Sequence, residues 1–170
     1  MAIYLSPKGR VILESHLKKC ERELSEIREE KNIAYTLSGD TWHDNPGFNQ
    51  LEQAESRKCK EISDILEKLS TAFPCNYNNR STDVVQIGSI VQCFIERTHS
   101  SNQQSEENIF EIVGYGESNP NKKKITYDSP LGHALLHHEP GDVINTTIAG
   151  KPVEIEIIKL FSDWDSTKDK

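Results

Sequence analysis

The sequence predicts an α+β protein: an N-terminal antiparallel coiled-coil hairpin followed by a small β-rich domain with one short helix. Three observations lead there. Between residues 13 and 69 the apolar positions fall on two stripes, spaced alternately by three and four residues, on either side of a segment crowded with Gly, Pro, Asp and Asn. Beyond residue 84 the pattern changes to runs of β-branched residues. Only 35% of the 170 residues are hydrophobic and 28% are charged, which is polar for one compact core but expected of a two-helix rod that is mostly surface.

The first helix is charged along most of its length, with 13 of the 24 residues from Lys8 to Lys31 ionisable as Lys, Arg or Glu. Its other residues are ordered. Leu13, Leu17, Cys20, Leu24, Ile27, Lys31 and Ala34 form a heptad seam of period 3.5. Ser6 and Pro7 suit the N-cap and first helical position, because the first-turn amides have no intrahelical partner. Between Gly9 and Gly39 no Gly or Pro interrupts.

A second seam runs through Phe48, Leu51, Glu55, Lys58, Ile62, Ile65 and Leu69. Asn45 and Pro46 read as its N-cap and N1 pair, and Pro74 ends it. The expected hairpin spans residues ~7 to ~72, with arms of roughly 28 residues, about 40 Å at 1.5 Å per residue. Its turn falls at residues ~38–46. Lys31, Glu55 and Lys58 are imperfect seam members.

Residues 75–83 are polar turn formers and read as a linker. A strand is expected over 84–95, a polar loop over 100–108, and strands over 109–113 and 124–127. Ser129 and Pro130 start a short helix reaching Leu136. Residues 142–148 and 153–158 read as a hairpin across Ala149-Gly150-Lys151-Pro152. In its second strand Val153, Ile155 and Ile157 alternate with Glu154 and Glu156, so one face is wet. The expected boundaries are a coiled-coil domain at 1–74, the linker at 75–83, a β-rich domain at 84–161 and a tail at 162–170, where Phe161 and Trp164 are candidates to dock.

Composition excludes several functions. The net charge is −7. Residues 1–80 are nearly neutral and residues 81–170 carry most of the excess, with 8 Lys plus Arg against 14 Asp plus Glu. Neither half is basic enough for autonomous binding to nucleic-acid phosphates, and Lys122-Lys123-Lys124 reads as a solvated turn. There is no apolar run of membrane-spanning length and no readable secretory signal, so a cytoplasmic protein is expected. Cys20, Cys59, Cys75 and Cys93 are too sparse for a disulfide scaffold and read as free thiols. His133 and His137 have the i, i+4 spacing of metal ligands, but no Cys or acidic pair completes a set.

The tip segment and the β-rich half together resemble the bacterial Gre family of transcript-cleavage factors, GreA and GreB. The likeness covers most of residues 2–160. Tyr4-Leu5-Ser6-x-x-Gly9 with Leu13-Glu14 is similar to the family's start. Phe110-Glu111-Ile112-Val113-Gly114 resembles one of its strands, and Ser129-Pro130-Leu131-Gly132-x-Ala134-Leu135 with Gly141-Asp142-Val143 is the most specific stretch. The resemblance implies an FKBP-like C-terminal domain that docks on RNA polymerase. It also implies a coiled coil that enters the secondary channel and delivers tip carboxylates to the active centre. The factor has no cofactor of its own and acts as a monomer. It helps the polymerase cleave backtracked RNA at the nascent 3′ end, through Mg²⁺ held jointly with the polymerase.

Carried onto this chain, the tip carboxylates are Asp40 and Asp44, with Trp42, His43 and Asn45 as polymerase or RNA contacts. The family pattern places two residues between its acids and follows the second with Asn; here three residues separate Asp40 from Asp44-Asn45. This departure leaves a second function open, a Gre-like polymerase binder that regulates or inhibits without stimulating cleavage. A third is an FKBP-like prolyl isomerase, which needs an aromatic pocket from Phe94, Phe110, Tyr115 and Tyr127.

Overall fold

The structure is a computed structural model that describes residues 2–99 and 102–167, without the side chains of residues 40, 41, 43, 97–99 and 102–105. The chain divides into two compact units, one of residues Arg10–Ala72 and one joining the residues up to Gly9 with those from Phe73 onward. Helix α1 spans Pro7–Ser38 and α2 spans Pro46–Thr71, with a 3-10 turn at Gly39–Asp44 between them. No helix among the described residues is long and apolar enough to cross a membrane.

In the helical unit the expected seam is the sheltered stripe. Leu13 and Cys20 are buried, and Leu17, Leu24, Ile27, Lys31 and Ala34 are half-buried, while nearly every other residue of α1 beyond Arg10 is exposed. Phe48 and Ile65 are the buried residues of α2. The imperfect members are all ion-paired. Lys31 Nζ lies 2.9 Å from Glu55 Oε2, and Arg28 Nε donates to Glu55 Oε1 at 2.8 Å. Lys58 Nζ sits 2.8 Å from Glu23 Oε2 and 2.7 Å from Glu61 Oε2. Hydrogen bonds from Arg28 and then Lys31 hold the Glu55 carboxyl below the ordinary range, and bonds to Glu23 and then Glu61 hold the Lys58 ammonium above its own. Pairing descends α2 as it climbs α1, so the helices are antiparallel.

In the other unit, strands β3 (Ile90–His99), β4 (Asn102–Val113), β5 (Lys124–Thr126), β6 (Val143–Ile148) and β7 (Lys151–Phe161) form a sheet of order β5-β4-β3-β7-β6. In this sheet β4 and β5 pair in parallel and the other neighbours antiparallel. Helix α3 (Pro130–Leu135) packs Leu135 into a core with Val91, Cys93, Ile112, Tyr127, Ile155 and Ile157. A bulge opposite Gln92 and Cys93 leaves Ile158 unpaired and exposed, so β7 buries Ile157 and then Leu160. All four cysteines are free.

Two expectations are corrected. The strand expected from 84 begins at Ile90, because Gly88 takes φ +101° and breaks the extended run. Val85 instead plugs the core, bonded through its backbone to His137 and His138. Residues 102–108, expected as loop, are strand: their pairing from Cys93–Asn108 to His99–Asn102 is made by backbone groups. Glu106 and Glu107 are exposed there, so no apolar alternation marks the ladder. A two-residue parallel pairing of β1 (Tyr4–Leu5) with β2 (Phe73–Pro74) was also not legible, being too short for any period.

Two buried carboxylates organise this unit. Glu117 Oε1 accepts from Ser6 Oγ at 2.5 Å and from Tyr77 OH at 2.7 Å, and Ser6 Oγ accepts from Gly9 N at 3.0 Å. Within the segment read as a linker, Tyr77 OH also accepts from Gly114 N at 2.8 Å. Glu111, 2% exposed, receives Arg80 at 2.9 Å, Lys124 at 2.8 Å and the Trp164 indole at 3.1 Å. Burial alone raises its pKa, but Lys124, Trp164 and Arg80 together outweigh it and hold the carboxyl below its ordinary 4.5. A lowered folded pKa contributes stability above the unfolded value. Urea unfolding of the full chain should therefore show that contribution at pH 7 and its progressive loss as pH falls below about 5. Glu111→Ala should cost about 3 kcal/mol at pH 7, the low end for a broken buried pair because Arg80 and Lys124 both reach water, and should flatten that part of the pH profile.

Candidate functional site at the hairpin tip

Helix α1 stops because Gly39 takes φ +52°, a left-handed conformation that an L side chain resists. The six residues Gly39–Asp44 then coil as a 3-10 turn. Asn45, extended at φ −83° and ψ 109°, caps α2: its Oδ1 accepts from Gly47 N at 2.9 Å and Phe48 N at 3.4 Å, with Pro46 at the first helical position. Its Nδ2 donates to Ser38 Oγ at 2.6 Å, and Ser38 Oγ donates to Ala34 O at 2.7 Å. One amide side chain thus closes the turn from both ends. Asn45, expected as the N-cap of the second helix, is a structural fastener.

Trp42 is half-buried rather than free at the tip. Its ring stands edge-on to Phe48, centroids 5.0 Å apart, and lies 5.7 Å from Tyr35. Lys31 Nζ covers Phe48 at 5.3 Å. Tyr35 and Phe48 are therefore tip residues that sequence reasoning did not assign to the site, although Phe48 stood out as the first seam residue of α2. Asp44 is exposed at the end of the 3-10 turn. The side chains of Asp40 and His43 lie outside the described residues, so of the five expected site residues Trp42, Asp44 and Asn45 have described surroundings.

The sheet unit carries a cleft of about 540 Å³ lined by Lys122, Lys123, Lys124, Arg80 and Trp164. Lys124 and Arg80 are taken up by Glu111. The aromatic residues of this unit are mostly occupied too: Tyr127 is in the core, and Phe110 and Tyr115 pack against it. His138 Nδ1 lies 3.0 Å from Asp142 Oδ2, and His137 takes φ +68°.

Residues 80–161 match the family described as "Transcription elongation factor, GreA/GreB, C-term". Over that span the chain is similar to the C-terminal domain of GreA/GreB factors. The transcription elongation factor GreA of Ureaplasma parvum serovar 3 is 29% identical over 153 residues, covering 89% of this chain and 88% of that protein. GreA of Clostridium botulinum strain Langeland is 26% identical over 159 residues, covering 90% of this chain and 96% of the relative. Among solved structures, GreA factor homolog 1 (Gfh1) of Thermus thermophilus covers 95% of this chain and 99% of its own at 24% identity, with a TM-score of 0.42.

The GreA/GreB motif residues do physical work in this domain. Ser129 Oγ accepts from Gly132 N at 3.0 Å and donates to Thr126 O at 2.7 Å, with Pro130 opening α3. A Cβ on Gly132 would stand 2.1 Å from the Thr126 carbonyl oxygen. At the tip, replacing Asn45 by Ala should cost about 1 kcal/mol of hairpin stability, read from urea unfolding by Trp42 fluorescence in a W164F background. Asn45→Asp keeps the cap acceptor and should recover most of it.

Proposed function

We propose that this protein is an accessory factor of bacterial RNA polymerase, not itself an enzyme, that promotes cleavage of backtracked RNA. In this reading the hairpin enters the secondary channel and the C-terminal domain, FKBP-like in fold, docks on the polymerase. Asp40 and Asp44 bring carboxylates to the nascent RNA 3′ end and to Mg²⁺ of the polymerase active centre. The observation that carries the reading is the combination of a GreA/GreB-like C-terminal domain with a two-helix rod whose end exposes Asp44 beside the capping Asn45.

The chemistry of the donor set fits. A carboxylate oxygen is a hard ligand of the kind Mg²⁺ accepts beside its waters. Mg²⁺ in a two-metal site stabilises the attacking and leaving oxygens of phosphodiester hydrolysis. What this chain supplies is position. The Asn45 cap and the Trp42–Phe48–Tyr35 cluster hold the turn, so Asp44 enters on a fixed support, and a carboxylate so held orients a water by accepting its hydrogen.

A second reading is a polymerase binder that slows nucleotide addition without stimulating cleavage. Two features favour it: the extra residue between Asp40 and Asp44, and an indole packed where the tip turns. One assay separates them. Adding the protein to a stalled, backtracked elongation complex with Mg²⁺ should release a 3′ RNA fragment. Asp44→Asn or Asp40→Asn should slow release about 10²-fold or more while leaving polymerase binding intact. Unshortened RNA with slower nucleotide addition would replace the first reading by the second.

A further inference from the structure

We propose that the helical hairpin carries a transition-metal site of the class that takes Zn²⁺, formed by His16 and Cys20 of α1 and Glu61 of α2. Residues four apart on a helix lie one above the other on the same face, so His16 and Cys20 share the face that meets α2. The ligand atoms of all three residues lie within 4.8 Å of one another. His16 Nε2 is 3.2 Å from Glu61 Oε1, and the Cys20 sulfur lies beside the same carboxylate. Cys20 is 1% exposed, whereas His16 is exposed. The site is closed on its sulfur side and open on its imidazole side.

The donor chemistry selects the metal. Thiolate, imidazole and carboxylate together suit Zn²⁺ and its spectroscopic substitute Co²⁺, whereas Mg²⁺ and Ca²⁺ want oxygen alone. Three protein ligands leave a fourth tetrahedral position, on the solvent side, for water. With metal bonds of about 2.1 Å to nitrogen and 2.3 Å to sulfur, tetrahedral ligands stand about 3.6 Å apart. Closing from the present spacing requires side-chain rotation of about 1 Å, which the exposed His16 and half-buried Glu61 can make.

The surroundings support the ligands. Lys58 Nζ, 2.7 Å from Glu61 Oε2, fixes that oxygen and leaves Oε1 turned to His16. Glu23, 2.8 Å from Lys58 Nζ, balances the lysine charge. On binding, the Cys20 S–H bond breaks, its proton passes to water, and a metal–sulfur bond forms with no change of oxidation state. The thiolate and Glu61 neutralise the dication. The ion would tie α1 to α2 about 28 Å along the rod from Gly39, taken at 1.5 Å per residue.

The test is a Co²⁺ titration of the metal-stripped, reduced full-length protein. A thiolate-to-cobalt charge-transfer band with the visible bands of a tetrahedral site should appear at one equivalent and vanish when Zn²⁺ is added. Cys20→Ser should abolish the thiolate band and Cys59→Ser should keep it. His16→Ala, at an exposed position where folding is not at issue, should weaken binding by at least the roughly 10–100-fold that outer-shell changes alone produce. At a hundredfold excess over Kd, Zn²⁺ should raise the Tm of the parent protein by about 5 °C or more and leave Cys20→Ser unmoved. No thiolate band in the parent, its survival in Cys20→Ser, its loss in Cys59→Ser, or unchanged affinity in His16→Ala would each overturn the site.

Discussion

A carboxylate withdrawn from water must find hydrogen-bond donors, and this requirement shapes both units of the molecule. Glu111 gathers Arg80 from the segment after α2, Lys124 from an edge strand and Trp164 from the tail. Glu117 gathers Ser6 from the chain start and Tyr77 from residues beyond β2. In the hairpin, Glu55 draws in Arg28 and Lys31 across the seam. Each acid joins segments remote in sequence, so removing one frees several pieces at once.

The residues that make the chain look like a GreA/GreB protein are mainly builders of the sheet unit. Ser6 caps the first turn of α1 and also feeds Glu117. Gly132 lets the first turn of α3 lie against the Thr126 carbonyl, where a side chain has no room. Asp142 Oδ2 accepts from Glu139 N at 2.9 Å and meets His138, fixing the turn that leads into β6. None of these groups lies at the hairpin tip. The most specific sequence signal therefore reports on the fold of the C-terminal domain, while the tip, where chemistry is proposed, carries its own arrangement of Trp42, Asp44 and Asn45.

That arrangement has a mechanical logic. A two-helix rod buries one stripe per helix and little else, so its end frays unless it is fastened. Here the end is fastened twice, by the Asn45 side chain reaching Ser38 and by the three aromatic rings beside it. Further along the rod, polar seam positions are filled by ion pairs, with the His16–Cys20–Glu61 cluster among them. A chain with 35% hydrophobic residues is thereby kept ordered without a large core in its first half.

The sequence by itself determined what repeats or caps. The heptad seams, the Asn45-Pro46 and Ser129-Pro130 helix starts and the alternation of Val153, Ile155 and Ile157 are local, periodic signals, and each stands in the structure where it was read. The tertiary structure alone decided what depends on distant partners. Gly88 broke a strand that its neighbours favoured, residues 102–108 became strand through backbone pairing that leaves no apolar pattern, and Tyr4 paired with Phe73 over a span too short to have a period. The same holds at the functional surfaces. Sequence placed Trp42 at a tip, but only the fold set it against Phe48 and Tyr35, and only the antiparallel register brought Glu61 to His16 and Cys20. Local periodicity specifies which face of an element is sheltered; which residue lies across from it is a property of the register between elements, and that is settled only when they pack.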